Sequence, residues 1–501
     1  MYTTKPVRIA ISLIIIALIL GAVLSPLVTD EQVLAVANFD QPEESLDYTA
    51  LLPIAHFRSS PYSVDTIFGV ESHNLTGNEY IPVDQANTSW VRLNGLLWSR
   101  AEQVEGTYSW GDFSELEQEI INASTIGMNV ILVVRSTPTW AQADSGSFCG
   151  PIKDDKVSAF ANFLYEAVKR YSAAPFNVKY WQVWNEPDVD HNIVLTNPAN
   201  SNAYFGCWGD PADTFYGGGD YADVLQAVYP KVKAASSEAK VLVGGLLLPC
   251  KQGVSLGSCD HQEKYLEGIL DHHGLNDGGE FFDYVAFHSY DYYWGTLGKY
   301  GNSNWGSRWD DSSVITKKTA FLKDVLTQYG YLDKPLLSTE TALVCGSDGQ
   351  EPMCFTADFE DTKAYYVAHS YSSAIADGLH ANLWYATRSG WRGNDLLGPD
   401  ASKLPAYFAF WFARQKLMNG VFSRSLSEYS DINGFEYDLY DHHIWVVWSI
   451  AKDAEGNPAP TQIVLPDIPS AVWDVFGQSI PVTGTDLTVT VKPQYIYWPP
   501  P

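Results

Sequence analysis

Residues 178–187 read Val178-Lys179-Tyr180-Trp181-Gln182-Val183-Trp184-Asn185-Glu186-Pro187. The run is rich in β-branched and aromatic residues, so it makes a short strand, and the strand ends on a carboxylate. A second stretch has the same form, with Pro335-Leu336-Leu337-Ser338 running into Thr339-Glu340-Thr341. An unpaired carboxylate facing a core is costly, so one such glutamate reads most simply as a solvated loop residue. Two of them, three repeating units apart, point instead to a pair of carboxylates held for chemistry.

Working outward from these two strands, the chain alternates strand and helix from about residue 62 to 420, the pattern of a parallel sheet. The other strands begin at Thr66-Ile67-Phe68-Gly69-Val70, Trp90-Val91-Arg92-Leu93, Val130-Ile131-Leu132-Val133-Val134, Val241-Leu242-Val243-Gly244, Tyr284-Val285-Ala286-Phe287 and Ala381-Asn382-Leu383-Trp384-Tyr385. That makes eight. Between them lie helices such as 155–171, where Phe160, Phe163, Leu164 and Val168 share one face. Eight units predict a closed (β/α)8 barrel, whose catalytic groups sit at the C-terminal ends of the strands. The length beyond ~250 residues predicts long βα loops, notably 201–220 and 291–310. From 421 to 501 short alternating strands (441–448, 461–465, 472–475, 487–491) predict a small antiparallel β-sandwich. Residues 31–61 are a linker or accessory strands.

The N-terminus carries Lys5 and Arg8 before an apolar run from Ile9 to Val28. Residues 1–30 therefore predict a membrane-insertion helix, either a transmembrane anchor or a signal segment. Ala35-Val36-Ala37 offers a cleavage-like site. Both outcomes export the rest of the chain, predicting an extracellular or cell-surface protein. All six cysteines follow predicted strands on βα loops of that exported part, where disulfides form. Short spacing favours Cys250–Cys259 and Cys345–Cys354, leaving Cys149 with Cys207. Sequons begin at Asn74, Asn87 and Asn122.

Composition excludes some functions. Of 501 residues 46% are hydrophobic and 18% charged, which fits a globular chain with a large core. A net charge of −28 argues against a nucleic-acid partner, since phosphate binding needs Lys and Arg in excess. The 17 Trp and 30 Tyr mostly fill the core, with a smaller share free to stack on sugar rings. No serine-hydrolase elbow, P-loop, H-E-x-x-H or G-x-G-x-x-G is present, and His272-His273 and His442-His443 lack the spacing of a helical metal site. The sequence predicts no cofactor and no metal.

In these residues the chain resembles the clan-A glycoside hydrolases over about residues 62–500. Trp184-Asn185-Glu186-Pro187 is similar to the motif that ends their fourth strand, and Glu340 to the glutamate that ends their seventh. Trp90-Val91-Arg92, with Trp98, Glu102, Gly106, Tyr108 and Trp110, resembles their second-strand region. Phe287-His288-Ser289-Tyr290 resembles the sixth strand, and Leu383-Trp384-Tyr385 with Gly398 and Ala406-Tyr407 the eighth. The nearest type is the family 39-like β-xylosidase with a C-terminal β-sandwich. The resemblance implies retaining hydrolysis of β-linked oligosaccharides or polysaccharides, with Glu186 as acid/base and Glu340 as nucleophile about 5–5.5 Å apart.

Strand alternation puts His288 and Tyr290 on one face, and Arg92 on one face with Trp90 and Asn94. If that face is the barrel mouth, Arg92 and Tyr290 bind the Glu340 carboxylate. Asn185 then suits the sugar 2-hydroxyl, and Trp384 an apolar floor under the ring. Asn185 and Glu186 are adjacent, so a bulge or the strand end must break alternation for both to face inward. Each helper also has a plain structural role open to it. The rival from another class is an exported carbohydrate-binding barrel without activity.

Overall fold

A computed structural model describes residues 66–192, 204–251 and 261–499. The predicted N-terminal membrane helix, the 31–61 segment and Cys259 lie outside the described residues. Among the described residues no helix is long and apolar enough to cross a membrane.

Eight parallel strands close into a barrel. They are β1 (Phe68–Glu71), β2 (Trp90–Leu97), β3 (Asn129–Arg135), β4 (Tyr180–Asn185), β5 (Lys240–Leu246), β6 (Tyr284–Tyr293), β7 (Leu336–Val344) and β8 (Ala381–Trp384). Each pairs with its sequence neighbour, β8 pairs with β1, and no edge remains. Strands such as Val130–Val134 read as continuous apolar runs because both faces are buried.

One face points inward. Trp90, Ile131, Leu242, Ala286, Leu337, Ala381 and Leu383 form a separate apolar cluster that fills the barrel floor. The other face packs on the surrounding helices. Helix Val157–Tyr171 buries Phe160, Phe163, Leu164 and Val168, the face predicted from spacing. Filled barrels of this kind are packed cores, not pores.

Several strands end later than the sequence pattern indicates, β2 at Leu97 and β5 at Leu246 among them. β1 runs on to Glu71, and β6 and β7 run to Tyr293 and Val344. The extension of β6 and β7 has a physical cause: they keep pairing beyond the barrel, from Ser289 with Thr341 to Tyr292 with Val344. Tyr292 and Tyr293 then pair antiparallel with Gly301 and Tyr300. Part of the predicted 291–310 loop is thus a small ribbon standing above the mouth.

The C-terminal module has a five-stranded antiparallel sheet and a two-stranded one. Its strands are β9 (Val421–Ser425), β10 (Ile432–Leu439), β11 (His442–Ser449), β12 (Thr461–Val464), β13 (Ala471–Asp474), β14 (Asp486–Val489) and β15 (Gln494–Trp498). The larger sheet is ordered β9-β10-β11-β15-β13, and β12 pairs with β14. Leu426, Trp445, Val447, Ile463, Leu487 and Ile496 form its own core between the two sheets. The sequence pattern missed β9, β10 and β15.

Cys149–Cys207 ties the loop after β3 to the loop after β4, and Cys345–Cys354 closes the loop after β7. Cys345–Cys354 agrees with the spacing, and Cys149–Cys207 is the pair that the spacing left over. Cys250 is disulfide-bonded as well.

Candidate active site

At the C-terminal end of the barrel the inward face changes from apolar to charged. Two residues beyond Trp90 on β2 stands Arg92, fully buried. Its Nη1 donates to Glu340 Oε1 at 2.6 Å and also to Glu71 Oε2. Its Nη2 donates to Asn185 Oδ1, and Nε to Gln182 Oε1 at 3.1 Å. One guanidinium therefore holds groups from β1, β4 and β7 in register. Burial works against its charge, but Glu71 and Glu340 outweigh that and raise its pKa above the ordinary value.

Glu340 reaches the mouth through an irregularity. β6 pairs Phe287 with Ser338 and then His288 with Glu340, so the register skips Thr339. That shift, of the kind common beside active sites, brings Glu340 into line with the inward face. Tyr290 OH donates to Glu340 Oε2, so both carboxylate oxygens are engaged. Asn185 and Glu186 both face the site because the strand ends there and the backbone turns. Trp184 and Glu186 take left-handed φ values of 71° and 45°, and Glu186 N donates to Gly245 O at 3.0 Å.

His288 stands between the two glutamates. Its Nδ1 lies 2.8 Å from Glu186 Oε1 and 3.3 Å from Glu340 Oε2. One carboxylate oxygen of Glu186, one of Glu340 and one His288 ring nitrogen all lie within 4.8 Å of one another. Burial pushes the His288 pKa down to about 3, so the ring is neutral at ordinary pH. Its Nε2 has no hydrogen-bond partner and lies against Gly245, where a Cβ would come within 2.1 Å of it. A bare lone pair costs less there than an orphaned N–H, so the proton belongs on Nδ1, donated to the glutamates. Gly245 is glycine because the ring needs that space.

Burial raises the pKa of both Glu186 and Glu340 to about 7. The two glutamates differ in their donors. Glu340 accepts from a guanidinium and a phenol, whereas Glu186 accepts from the neutral imidazole. Those donors favour the charge on Glu340 more than the charge on Glu186. Arg92 on Glu340 also makes these three residues a poor cage for a metal ion, because an ion there would face a fixed positive charge.

Glu71, absent from the sequence reading, is a third carboxylate of this site. It is 1% exposed and accepts from Arg92 and His73. Burial favours its neutral form, but Arg92 and His73 overcome this and lower its pKa. The signal was present: Phe68-Gly69-Val70-Glu71 is another apolar strand ending in an acid.

Trp384 is not brought to the site. It is fully buried on the helix side of the barrel wall, with Nε1 donating to Asn394 O at 2.8 Å and its ring near Tyr366. Alternation gives the inward position to Tyr385 instead, whose ring lies 6.1 Å from Tyr290. Trp391, 40% exposed in the loop after β8, stands 5.3 Å from Tyr290 and 5.8 Å from Tyr385. Trp384 does not form the apolar floor expected of it, and the rings of Tyr385 and Trp391 stand beside Tyr290 instead.

Second contacts brace the mouth. Asp188, two residues beyond Glu186, accepts from Leu247 N and Leu248 N at 2.9 and 2.7 Å, tying the β4 loop to the β5 loop. Lys318 donates to Leu247 O and His288 O. Trp98, Glu102 and Gly106 form a separate brace, with Trp98 Nε1 and Gly106 N donating to the Glu102 carboxylate, each at 2.6 Å.

No family model and no curated protein matches the chain by sequence. Solved structures do match the fold. A family 39 glycoside hydrolase from Bacteroides cellulosilyticus WH2 aligns at TM-score 0.63 and 18% identity, over 87% of this chain and 82% of that one. The family 30 subfamily 8 xylanase of Clostridium acetobutylicum aligns at 0.55 and 12%, over 86% and 95%. A family 39 enzyme from Xanthomonas axonopodis pv. citri aligns at 0.53 and 12%, over 88% and 95%. In fold, the chain is similar to the clan-A glycoside hydrolases, as the residues of its fourth and seventh strands indicated.

Proposed function

We propose that the protein is a retaining glycosidase acting on β-linked oligosaccharides or polysaccharides. The observation that carries this reading is the carboxylate pair at the ends of β4 and β7, with oxygens from each glutamate and the His288 nitrogen within 4.8 Å of one another. Retaining enzymes need about 5–5.5 Å between carboxyl groups, whereas inverting ones need room for a water.

In the first step Glu340 attacks the anomeric carbon and the glycosidic C–O bond breaks. Glu186 gives its proton to the leaving oxygen. In the second step Glu186 takes a proton from water, the water oxygen attacks the anomeric carbon, and the ester bond to Glu340 breaks. Arg92 and Tyr290 stabilise the Glu340 carboxylate on departure. Asn185, held by Arg92, is placed for the sugar 2-hydroxyl, and Tyr385 and Trp391 flank the ring. Esterification removes the negative charge of Glu340, so Glu186 ionises more easily and becomes the base.

The substrate is a plant or microbial glycan, and cleavage is of the β-xylosidase or endo-β-glycanase kind; one fold neighbour is named a xylanase. The disulfides on the loops and the apolar N-terminal run support action outside the cell, secreted or anchored by the N-terminal segment. A panel of aryl β-glycosides identifies the sugar. Proton NMR of the first-formed product then tests the mechanism, with the β-anomer expected from a β-glycoside and the α-anomer ruling it out.

A further inference from the structure

The end of β3 holds a buried cation, Arg135, with no ion-pair partner among the described residues. Arg135 is 8% exposed, and its Nε donates to Asn94 Oδ1 at 2.8 Å. Its guanidinium lies 5.1 Å from the ring centre of Tyr204. Among the described residues no carboxylate lies within 4.0 Å of it, although the chain has 59 acidic residues. Arg92, also buried, is by contrast paired with two carboxylates. A buried guanidinium without an anion is costly, and burial pulls the Arg135 pKa down to about 10. Nε is occupied, and among the described residues Nη1 and Nη2 donate to no partner, so that edge is left for a ligand.

That edge belongs to the cleft. Arg135 is the last residue of β3, at the catalytic end of the barrel. Asn94 lies on β2 two residues beyond Arg92. Tyr204, whose ring covers the guanidinium, accepts through its backbone oxygen from Asn185 Nδ2 at 3.0 Å. Asn185 in turn binds Arg92. A continuous set of contacts thus links Arg135 to the group that holds Glu340.

We propose that Arg135 binds the carboxylate of a hexuronic acid residue in the substrate, so the enzyme acts on acidic rather than neutral glycans. A planar carboxylate matches two parallel N–H donors of a guanidinium, and the aromatic face of Tyr204 supports the pair. This deepens the glycosidase reading and rests on it for the word substrate.

Binding tests it independently of turnover. Full-length Glu340→Gln enzyme is titrated by calorimetry with matched β-linked disaccharides, one ending in glucuronic acid and one in glucose, and with the galacturonic and galactose pair. The expected result is binding of an acidic ligand about tenfold or more tighter than its neutral partner, weakening as salt is raised. In the Glu340→Gln/Arg135→Gln double variant this ratio should fall to about one, and with Arg135→Lys it should be partly kept. Equal binding of both members of each pair, or a ratio that survives Arg135→Gln, overturns the proposal. If Arg135→Gln does not fold, the salt dependence and the Arg135→Lys ratio decide. A 6-sulfated sugar that binds tighter than the uronate overturns the carboxylate assignment. The ratio holds whether or not the wild type cleaves any aryl glycoside, so failure of the glycosidase reading is seen separately.

Discussion

The floor and the mouth of the barrel are built from the same strands, two or three residues apart. Trp90 lies below Arg92, Ala286 below His288, Leu337 below Glu340 and Leu383 below Tyr385. The floor is an apolar plug that gains from burial. The mouth buries two carboxylates, a guanidinium and an imidazole with an unpartnered nitrogen, and half-buries a third carboxylate, Glu186. Arg92, His288 and Glu71 of the mouth are as deeply buried as the floor, so burial alone does not separate scaffold from site. The chemistry of what is buried does. The floor stabilises the fold, and the mouth takes stability from it for a geometry that can do chemistry.

The sharpest way to break this comparison is at Glu340, the proposed nucleophile. Glu340→Ala should lose on the order of 10⁴-fold or more in kcat on every substrate. Glu186→Ala should lose about 10²–10⁴-fold on poor leaving groups, keep rapid glycosylation with a dinitrophenyl leaving group, and regain turnover with azide. Equal losses on the activated substrate, with no azide effect, would undo the assignment of roles.

The floor should respond in the opposite way. Leu242→Ala removes an interior side chain between β4 and β6 and should cost about 2–5 kcal/mol in stability by denaturant melting. The folded fraction should keep its kcat. A floor variant that stays stable but loses turnover would show that the two layers are not separable. At the rim, replacing both Cys345 and Cys354 by Ala should lower stability by about 2–3 kcal/mol, because the nine-residue separation they close is then free in the unfolded chain. Thermal melting measures this loss.

The smallest effect carries a sign. The Glu186 pKa rises from 4.5 in the unfolded chain to about 7 in the folded one. The folded state therefore binds the extra proton between those values, and stability falls as pH rises through that window. Glu186→Gln removes the group and should stabilise the protein at pH 8 by roughly 1–2 kcal/mol, the shift being shared with Glu340. The gain should vanish near pH 4. A gain that persists at pH 4, or a loss at pH 8, would mean that Glu186 is not held against its charge.

Much of the fold was legible. The eight strands showed themselves because parallel strands buried on both faces are apolar runs, and the helices because one face repeats every three to four residues. The sandwich was harder. β10 (Ile432–Leu439) and β15 (Gln494–Trp498) mix buried and partly buried positions without clean alternation, and β9 is mostly exposed. The site was legible where a polar residue ended an apolar strand. It failed at Trp384 because the motif names a tryptophan, while alternation on β8 gives the inward place to its neighbour Tyr385.

What the sequence determined by itself is the barrel, the trailing sheets, two of the disulfides and the identity of the two central glutamates. These follow from local patterns: period, spacing and the cost of a charge at the end of an apolar strand. Only the tertiary structure decided that Glu71 shares Arg92 with Glu340, that His288 bridges the pair, and that Trp391 rather than Trp384 flanks the cleft. It alone left Arg135 with no carboxylate within 4.0 Å among the described residues. Those facts depend on contacts between residues 21, 102 and 248 positions apart, and on a register shift at Thr339. No local pattern carries such distances, because a closed barrel brings together the ends of strands that the chain holds far apart.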